Sequence, residues 1–284
     1  MNNIFNFNHL NNFDSFINID LFIYSLILLS IGSFASSIIF RFSLNLKNDS
    51  KSISMVSPRS FCPKCKESIK LIHLTPLLGF LIQKGRCNSC KKNISIFYPI
   101  TEISFLLYGL VVAFFYGFGL AFFFLLVLFF LFYILFFLDL KYYYLPISIN
   151  LLLILCGFLG NIFLNIFVTD IAIFFGLSPF LFSLYGFLLG YMSLWFINFI
   201  FKFIRKKDGI GGGDFILFGA IGGLFGPFSL GLILFLGALF GCFIFIFFKN
   251  SFQDKIPLGS CLILGSFSYF FIKNFELLEK FLVI

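Results

Sequence analysis

Charged residues are scarce in this sequence. Only 11% of its 284 residues are Asp, Glu, Lys or Arg, whereas 60% are hydrophobic. A water-soluble domain of this size cannot bury so large an apolar share, so a soluble enzyme is excluded. Apolar runs recur at about the 20 residues that a helix needs to cross a bilayer. The composition therefore predicts an all-α membrane protein.

Basic residues are absent from the segment before the first apolar run, and no small-residue cleavage site follows it. A cleaved signal peptide is therefore not expected, and we predict a retained first helix with the N-terminus outside. The net charge of +8 does not indicate nucleic-acid binding, because the chain offers no soluble surface for a duplex. Eleven of the 20 Lys and Arg residues lie between Arg41 and Lys92 instead.

About eight transmembrane helices are predicted, with residues 169–179 along the membrane surface. The loops 41–97, 139–147, 202–213 and 249–256 all contain Lys or Arg, which places them in the cytosol, whereas the outer turns contain none. The predicted domains are 1–40, with the first helix, 41–97, a cytosolic cysteine loop, and 98–284, a transmembrane core. The predicted spans are 20–40, 98–117, 119–138, 148–168, 180–201, 214–226, 228–248 and 257–275.

Four of the seven cysteines form two CxxC pairs in the cytosolic loop: Cys62, Cys65, Cys87 and Cys90. Two such turns can supply four thiolates in a tetrahedron, and the reducing cytosol disfavours disulfides. We therefore predict a structural zinc site, with a thiol redox role or unligated cysteines as alternatives. Histidine is nearly absent and adds no ligand, and three further cysteines in apolar spans are packing residues: Cys156, Cys242 and Cys261.

Two of the twelve acidic residues, Asp139 and Asp214, lie where an apolar span meets a cytosolic turn. Each has a simpler interpretation: a helix-end charge facing Lys141 for Asp139, and a helix cap for Asp214. The glycines before Asp214 favour a site, because they allow positive φ or close backbone approach. Two carboxylates in one low-dielectric pocket share a proton, so one can activate water while the other protonates the leaving amine. The sequence does not assign these roles.

The ordered motifs of the chain resemble those of the prepilin peptidase family, also called type IV leader peptidases. Gly211-Gly212-Gly213-Asp214 resembles its GxGD motif, and Asp139 with Leu145-Pro146 resembles its first aspartate motif. Members often have Asp or Asn directly after Leu-Pro, but this chain has Ile147 there, and its nearest such residue is Asn150. Members commonly have Lys two residues after the GxGD aspartate, but this chain has Ile216 at that position. Further matching elements are Gly32-Ser33-Phe34, Phe40-Arg41, 58–65, 75–78, 84–87, 98–102 and Ile256-Pro257-Leu258-Gly259.

This resemblance implies a bacterial inner-membrane peptidase that removes short basic leaders from prepilins or pseudopilins at the cytosolic face. It also implies N-methylation of the new N-terminus with S-adenosylmethionine, since the cysteine loop is typical of the bifunctional members. One alternative is a transporter or channel in which Asp139 and Asp214 bind ions or protons, but the sequence shows no convincing internal repeat. A zinc-stabilised scaffold, the second alternative, leaves both aspartates without a role.

Overall fold

The computed structural model describes residues 19–47, 54, 57, 59–248 and 256–274. The predictions for the N-terminal segment and for most of the 249–256 loop fall outside these residues. The chain divides into two compact units, Met1–Phe130 and Leu131–Ile284. Within the described residues the secondary structure is helical, without a strand, which confirms the predicted fold class.

Eight long or apolar helices match the eight predicted spans in order. Six are long and apolar enough to cross a membrane, and two, α8 and α10, are shorter apolar helices. The helices are α1 (Ile19–Lys47), α2 (Leu78–Ile82), α3 (Phe97–Tyr116), α4 (Leu120–Tyr142), α5 (Ile147–Leu164), α6 (Asp170–Phe174), α7 (Pro179–Arg205), α8 (Gly212–Phe225), α9 (Leu230–Phe248) and α10 (Leu258–Asn274).

The predicted ends of several spans differ from the helix ends. Helix α1 continues past its predicted end to Lys47, so Arg41 lies within the helix, where it is buried and donates from Nη1 to the Ser54 carbonyl at 2.9 Å. Helix α4 likewise continues to Tyr142 and includes Asp139 in its last turns. Hydropathy marks where lipid ends, whereas a helix can continue beyond it, because its backbone hydrogen bonds are made internally.

In the first unit, α1 and α3 pack closely at Gly32. A Cβ atom on Gly32 would lie 2.8 Å from the Glu102 Cα, so only glycine allows this approach. The Glu102 carboxylate is buried and accepts a 2.8 Å hydrogen bond from the Leu77 N–H. Leu77 precedes α2 and has a positive φ of 56°. This contact ties the loop that contains α2 to the start of α3.

In the second unit, α8 is the central helix. Ten of its residues are buried, from Phe215 onwards, and it packs against α5, α7 and α10. At the α7 contact, the carbonyls of Gly186 and Gly222 occupy the space that a Cβ on the other would need. Its 14 residues extend only about 21 Å, less than the roughly 30 Å hydrocarbon core. A helix so short fits because protein surrounds it.

Candidate active site and metal centre

The two aspartates lie together in the second unit. Asp139 is in the last turns of α4, and Asp214 is in the first turn of α8, and the two carboxylates are close enough for their charges to influence each other. The first turn of α10 adjoins both carboxylates, because the Ser260 N–H donates to Asp139 and the Gly259 N–H interacts with Asp214. Asp139 is only 4% exposed, whereas Asp214 is half-buried. The fold thus brings together the pair that the sequence singled out.

Asp139 is held by Ser260, a residue that no sequence motif marks as functional. The Ser260 N–H and Oγ lie 2.6 Å and 2.9 Å from the Asp139 Oδ2 atom. The same Oγ lies 3.0 Å from the Phe136 carbonyl oxygen. The available signal was its position directly after the Ile256–Gly259 motif, but only the packing of α10 against α4 reveals the contact.

Asp214 also caps its own helix. Its Oδ2 accepts a 3.2 Å hydrogen bond from the Gly211 N–H, while its N–H donates to the Gly211 carbonyl at 3.1 Å. The interpretation of Asp214 as a helix cap is therefore correct, but it accounts for only one of the two carboxylate oxygens. The other oxygen, Oδ1, is buried and accepts no hydrogen bond from the described residues. A cap uses one carboxylate oxygen, so the second oxygen is left for another partner.

Leu145 explains why glycine recurs around the pair. A Cβ on Gly213 would lie 3.0 Å from the Leu145 Cβ. A Cβ on Gly259 would lie 2.9 Å from the Leu145 Cδ1 and 3.1 Å from the Asp139 Oδ2, whereas one on Gly212 would meet nothing within 4 Å. None of the glycines before Asp214 has a positive φ. Of the two glycine roles expected from the sequence, close approach is the one used.

Hydrogen bonds from Asn198 of α7 hold the loop that precedes α8. The Asn198 Oδ1 accepts hydrogen bonds from the Gly209 and Ile210 N–H groups at 2.8 Å and 3.1 Å, and its Nδ2 donates to Asp208 at 3.3 Å. Asp208 also pairs with Lys202 at 3.1 Å, and this hydrogen bond lowers the pKa of the Asp208 carboxyl. Asn198 was missed because an isolated Asn in an apolar helix carries no motif.

Asn150 contacts the glycine loop from α5. Its side chain is fully buried, and its Nδ2 lies 3.4 Å from the Gly213 carbonyl oxygen, a long hydrogen bond. A polar side chain therefore reaches the loop from three residues beyond Ile147, the apolar residue at the position where family members often have Asp or Asn.

The four cysteines of the first unit lie at two matching turns. In one turn the Cys62 N–H donates to Glu67 and its carbonyl accepts from Lys66; in the other, Cys87 makes the same two bonds with Lys92 and Lys91. All four bonds are 2.8–2.9 Å long. The residue after each CxxC pair, Lys66 or Lys91, has a positive φ of 60° or 57°. Two copies of one local turn thus present the thiols.

The sulfur atoms fit a four-coordinate metal. The four Sγ atoms lie within 4.8 Å of one another, with Cys62 and Cys90 3.9 Å apart and Cys65 and Cys87 4.0 Å apart. Tetrahedral zinc with Zn–S bonds of about 2.3 Å needs sulfurs roughly 3.8 Å apart. A hydrogen bond from the Cys90 backbone lowers the pKa of the Cys87 thiol to about 7, whereas desolvation and the neighbouring thiols raise the pKa of the Cys65 thiol to about 11, so the four thiols do not ionise equally before a metal binds.

Fold and site together define a multi-pass α-helical membrane protein with a four-cysteine centre followed by a carboxylate pair at its helix ends. The model of the bacterial peptidase A24 N-terminal domain matches residues 26–116, and that of the type IV leader peptidase family matches residues 125–246. The first range contains the four cysteines of the candidate metal centre, and the second contains Asp139 and Asp214. The chain belongs to the type IV leader peptidase family, as its motifs indicated.

Several curated relatives carry the name prepilin leader peptidase/N-methyltransferase. The protein of Legionella pneumophila is 32% identical over 253 residues, 81% of this chain and 84% of the relative, and that of Aeromonas hydrophila is 32% identical over 254 residues, 81% and 83%. The protein of Neisseria gonorrhoeae is 33% identical over 195 residues, 68% of this chain and 64% of its own length. No solved structure matches the chain.

Proposed function

We propose that this protein cleaves leader peptides from type IV prepilins or pseudopilins, with Asp139 and Asp214 as its catalytic pair. The observation that carries this proposal is that Asp139 contacts Ser260 while Asp214 interacts with Gly259, two consecutive residues of α10. The family and the names of the relatives support the same reaction. They do not favour the transporter alternative.

The chemistry needs two carboxylates in different protonation states. Both side chains lie in a buried, low-dielectric environment, where two adjacent negative charges are costly and the pair retains a proton. The ionised member accepts a proton from water as the water oxygen attacks the peptide carbonyl carbon. The protonated member hydrogen-bonds the carbonyl oxygen and then protonates the leaving amine. The buried Oδ1 of Asp214 accepts no hydrogen bond from the described residues and is available for this exchange.

The charge distribution of the second unit supports a cytosolic active site. The end with the aspartate pair carries Lys141, Lys202, Arg205, Lys206 and Lys207, whereas the turns 165–169 and 226–229 at the other end contain no Lys or Arg. Lys273, at that other end, donates to the Phe167 carbonyl at 3.1 Å and so serves a local contact. The protein is a multi-pass inner-membrane protein, and this orientation puts its N-terminus outside.

This placement suits a pilin precursor. Such a substrate has a basic leader followed by an apolar helix, so it lies in the bilayer with its cleavage point at the cytosolic surface. The carboxylates are at the ends of α4 and α8, which the proposed orientation puts at the cytosolic surface. The substrate partners are therefore prepilin-like precursors in the lipid bilayer, not nucleic acid.

The cysteine centre has a structural role in this proposal. Cys62, Cys65, Cys87 and Cys90 would hold zinc, which would fix the two turns and leave no open position for water. The relatives are also named N-methyltransferases, and by extension this protein methylates the freed N-terminus with S-adenosylmethionine.

Cleavage of a prepilin-like precursor by the purified protein in lipid tests the proposal. Asp139→Asn and Asp214→Asn should each reduce the cleavage rate by about 10²- to 10⁴-fold, the contribution of a general acid or base. Asp170→Asn is the matched control, because Asp170 begins α6 at the other end of the unit, and it should cleave at the wild-type rate. Undiminished cleavage by either pair variant would exclude the proposed mechanism.

A further inference from the structure

We propose that Ser260 is a positioning residue that makes Asp139 the resting base of the pair and leaves Asp214 as the acid that carries the proton. This inference rests on the proposed peptidase function and assigns the roles that the sequence left open. It follows from the unequal hydrogen bonding of the two carboxylates.

The donors favour a negative charge on Asp139. One Asp139 oxygen has two donors from Ser260, at 2.6 Å and 2.9 Å. Asp214 receives a longer bond of 3.2 Å from Gly211 on one oxygen and interacts with the Gly259 N–H, while its Oδ1 accepts no hydrogen bond within 3.5 Å from the described residues. Short hydrogen bonds to a carboxylate oxygen stabilise its ionised form. The pair can hold one proton with least cost when that proton is on Asp214.

Burial acts in the opposite direction, because Asp139 is more buried than Asp214. The two charge-assisted donors of Ser260 compensate this cost, since each is worth more than a neutral hydrogen bond. The other ionisable groups near Asp139 are Asp214, Cys261, Tyr143 and Lys141. Burial and the Asp139 charge together raise the pKa of the Tyr143 hydroxyl, so it stays neutral, and the Cys261 thiol interacts with both carboxylates. The Lys141 amine lies 5.7 Å from the Phe137 ring centroid.

The Ser260 hydroxyl can partner Asp139 in both protonation states. Its single hydrogen can point to Oδ2 while Asp139 is ionised. Once Asp139 has taken a proton, the hydroxyl can accept from the carboxyl and turn its own hydrogen to the Phe136 carbonyl, 3.0 Å away. A serine at this position therefore never leaves the buried carboxyl without a partner during the proton transfer.

The reaction balances with these roles. Water gives one proton to Asp139 as its oxygen bonds to the carbonyl carbon, and the Asp214 proton hydrogen-bonds the resulting oxyanion. Asp214 then protonates the amine nitrogen, the carbon–nitrogen bond breaks, and the new carboxylic acid and amine depart. A proton passes from Asp139 to Asp214 and restores the starting state.

The test is the pH profile of kcat/KM for cleavage of the prepilin-like precursor, with Ser260→Ala. Loss of a donor makes the ionised base less stable, so more alkaline conditions are needed to ionise it. The acidic limb should move to higher pH by roughly one unit, with about tenfold slower cleavage on that limb, and the basic limb should stay in place. Ser260→Thr, which keeps the hydroxyl, should restore the wild-type profile.

Ser266→Ala is the matched control. Ser266 is a buried serine of the same helix whose hydroxyl donates only to the Ile263 carbonyl at 2.8 Å among the described residues. Its replacement should leave both limbs unchanged. Ser260→Cys replaces the hydroxyl by a slightly larger thiol that donates a weaker hydrogen bond, so the acidic limb should shift less than in Ser260→Ala. This variant decides the question if the alanine variant does not fold.

The outcomes separate this inference from the proposed function. Absence of cleavage by the wild-type protein would reject the peptidase itself. Wild-type cleavage with a shift of the basic limb in Ser260→Ala would reverse the two roles, because Asp139 would then be the acid. Wild-type cleavage with neither limb moved in the alanine and cysteine variants would overturn the role of Ser260 alone.

Discussion

The cysteine centre and the carboxylate pair are built in opposite ways. Each half of the cysteine centre is a short turn whose hydrogen bonds join residues at most nine positions apart, such as Ser60 to Ile69. The carboxylate site depends on contacts between distant segments: Asp139 and Ser260 are 121 positions apart, and Asn150 and Gly213 are 63 apart. Local turns define the first site, whereas helix packing defines the second.

This difference determines what each site tolerates. A turn that forms its own hydrogen bonds loses its function mainly when a ligand is removed. A site assembled from three helices can lose its function without loss of a reacting group, because a small shift of one helix separates the groups. The following predictions, in decreasing order of effect, test this contrast.

Removal of one thiol should abolish metal binding. Wild-type protein should contain about one zinc per chain, and Cys62→Ser should contain almost none, because a closed structural site needs all four ligands. Cys242→Ser changes an exposed cysteine of α9 and should retain the metal. Metal analysis of the purified proteins measures both. Unchanged zinc in Cys62→Ser, or its loss in Cys242→Ser, would refute the assignment of the four ligands.

An added methyl group between the helices should impair the carboxylate site although every reacting group remains. In Gly259→Ala the new Cβ would lie 2.9 Å from the Leu145 Cδ1 and 3.1 Å from the Asp139 Oδ2, so the Leu145 and Asp139 side chains must move from their positions. We expect kcat to fall by about 100-fold. Gly212→Ala is the matched control, since a Cβ there meets nothing within 4 Å, and it should cleave within about twofold of wild type.

Equal rates for these two glycine variants would contradict the account of close packing. Wild-type thermal stability in Gly212→Ala, measured in the same detergent, would confirm that its unchanged rate reports an intact protein.

Loss of the Asn198 hydrogen bonds to the loop before α8 should have a smaller effect. Asn198→Ala leaves the Gly209 and Ile210 N–H groups without their acceptor, so the loop before Asp214 becomes less ordered. We expect about a tenfold fall in kcat with KM nearly unchanged, because positioning and not binding is affected. Lys202→Ala removes only an exposed ion pair with Asp208 and should have little effect. An equal loss in both variants would show that the ion pair, and not Asn198, orders the loop.

Much of this architecture could be predicted from the sequence. Hydropathy identified the eight apolar helices, and the CxxC spacing identified the cysteine centre, because both signals are local. The ends of α1 and α4 were less accurate, since a helix continues beyond the apolar run that marks it.

The supporting residues of the carboxylate site were not predictable in the same way. Ser260 and Asn198 contact Asp139 and the glycine loop only after α10 and α7 pack, and no spacing rule links them to those partners. Gly259 was recognised in a motif, but its reason, the closeness of Leu145 and Asp139, is a property of the tertiary structure. The reacting residues carry signals in the sequence, whereas the residues that position them do not.

The cleavage rate of the double variant Asp139→Asn/Asp214→Asn tests most directly whether the two carboxylates act as one unit. If they share one proton and one water, removal of the second carboxylate costs nothing further, and the double variant should cleave as slowly as each single variant. Losses that multiply, so that the double variant is slower than either single variant by the product of their effects, would show that the two groups act independently.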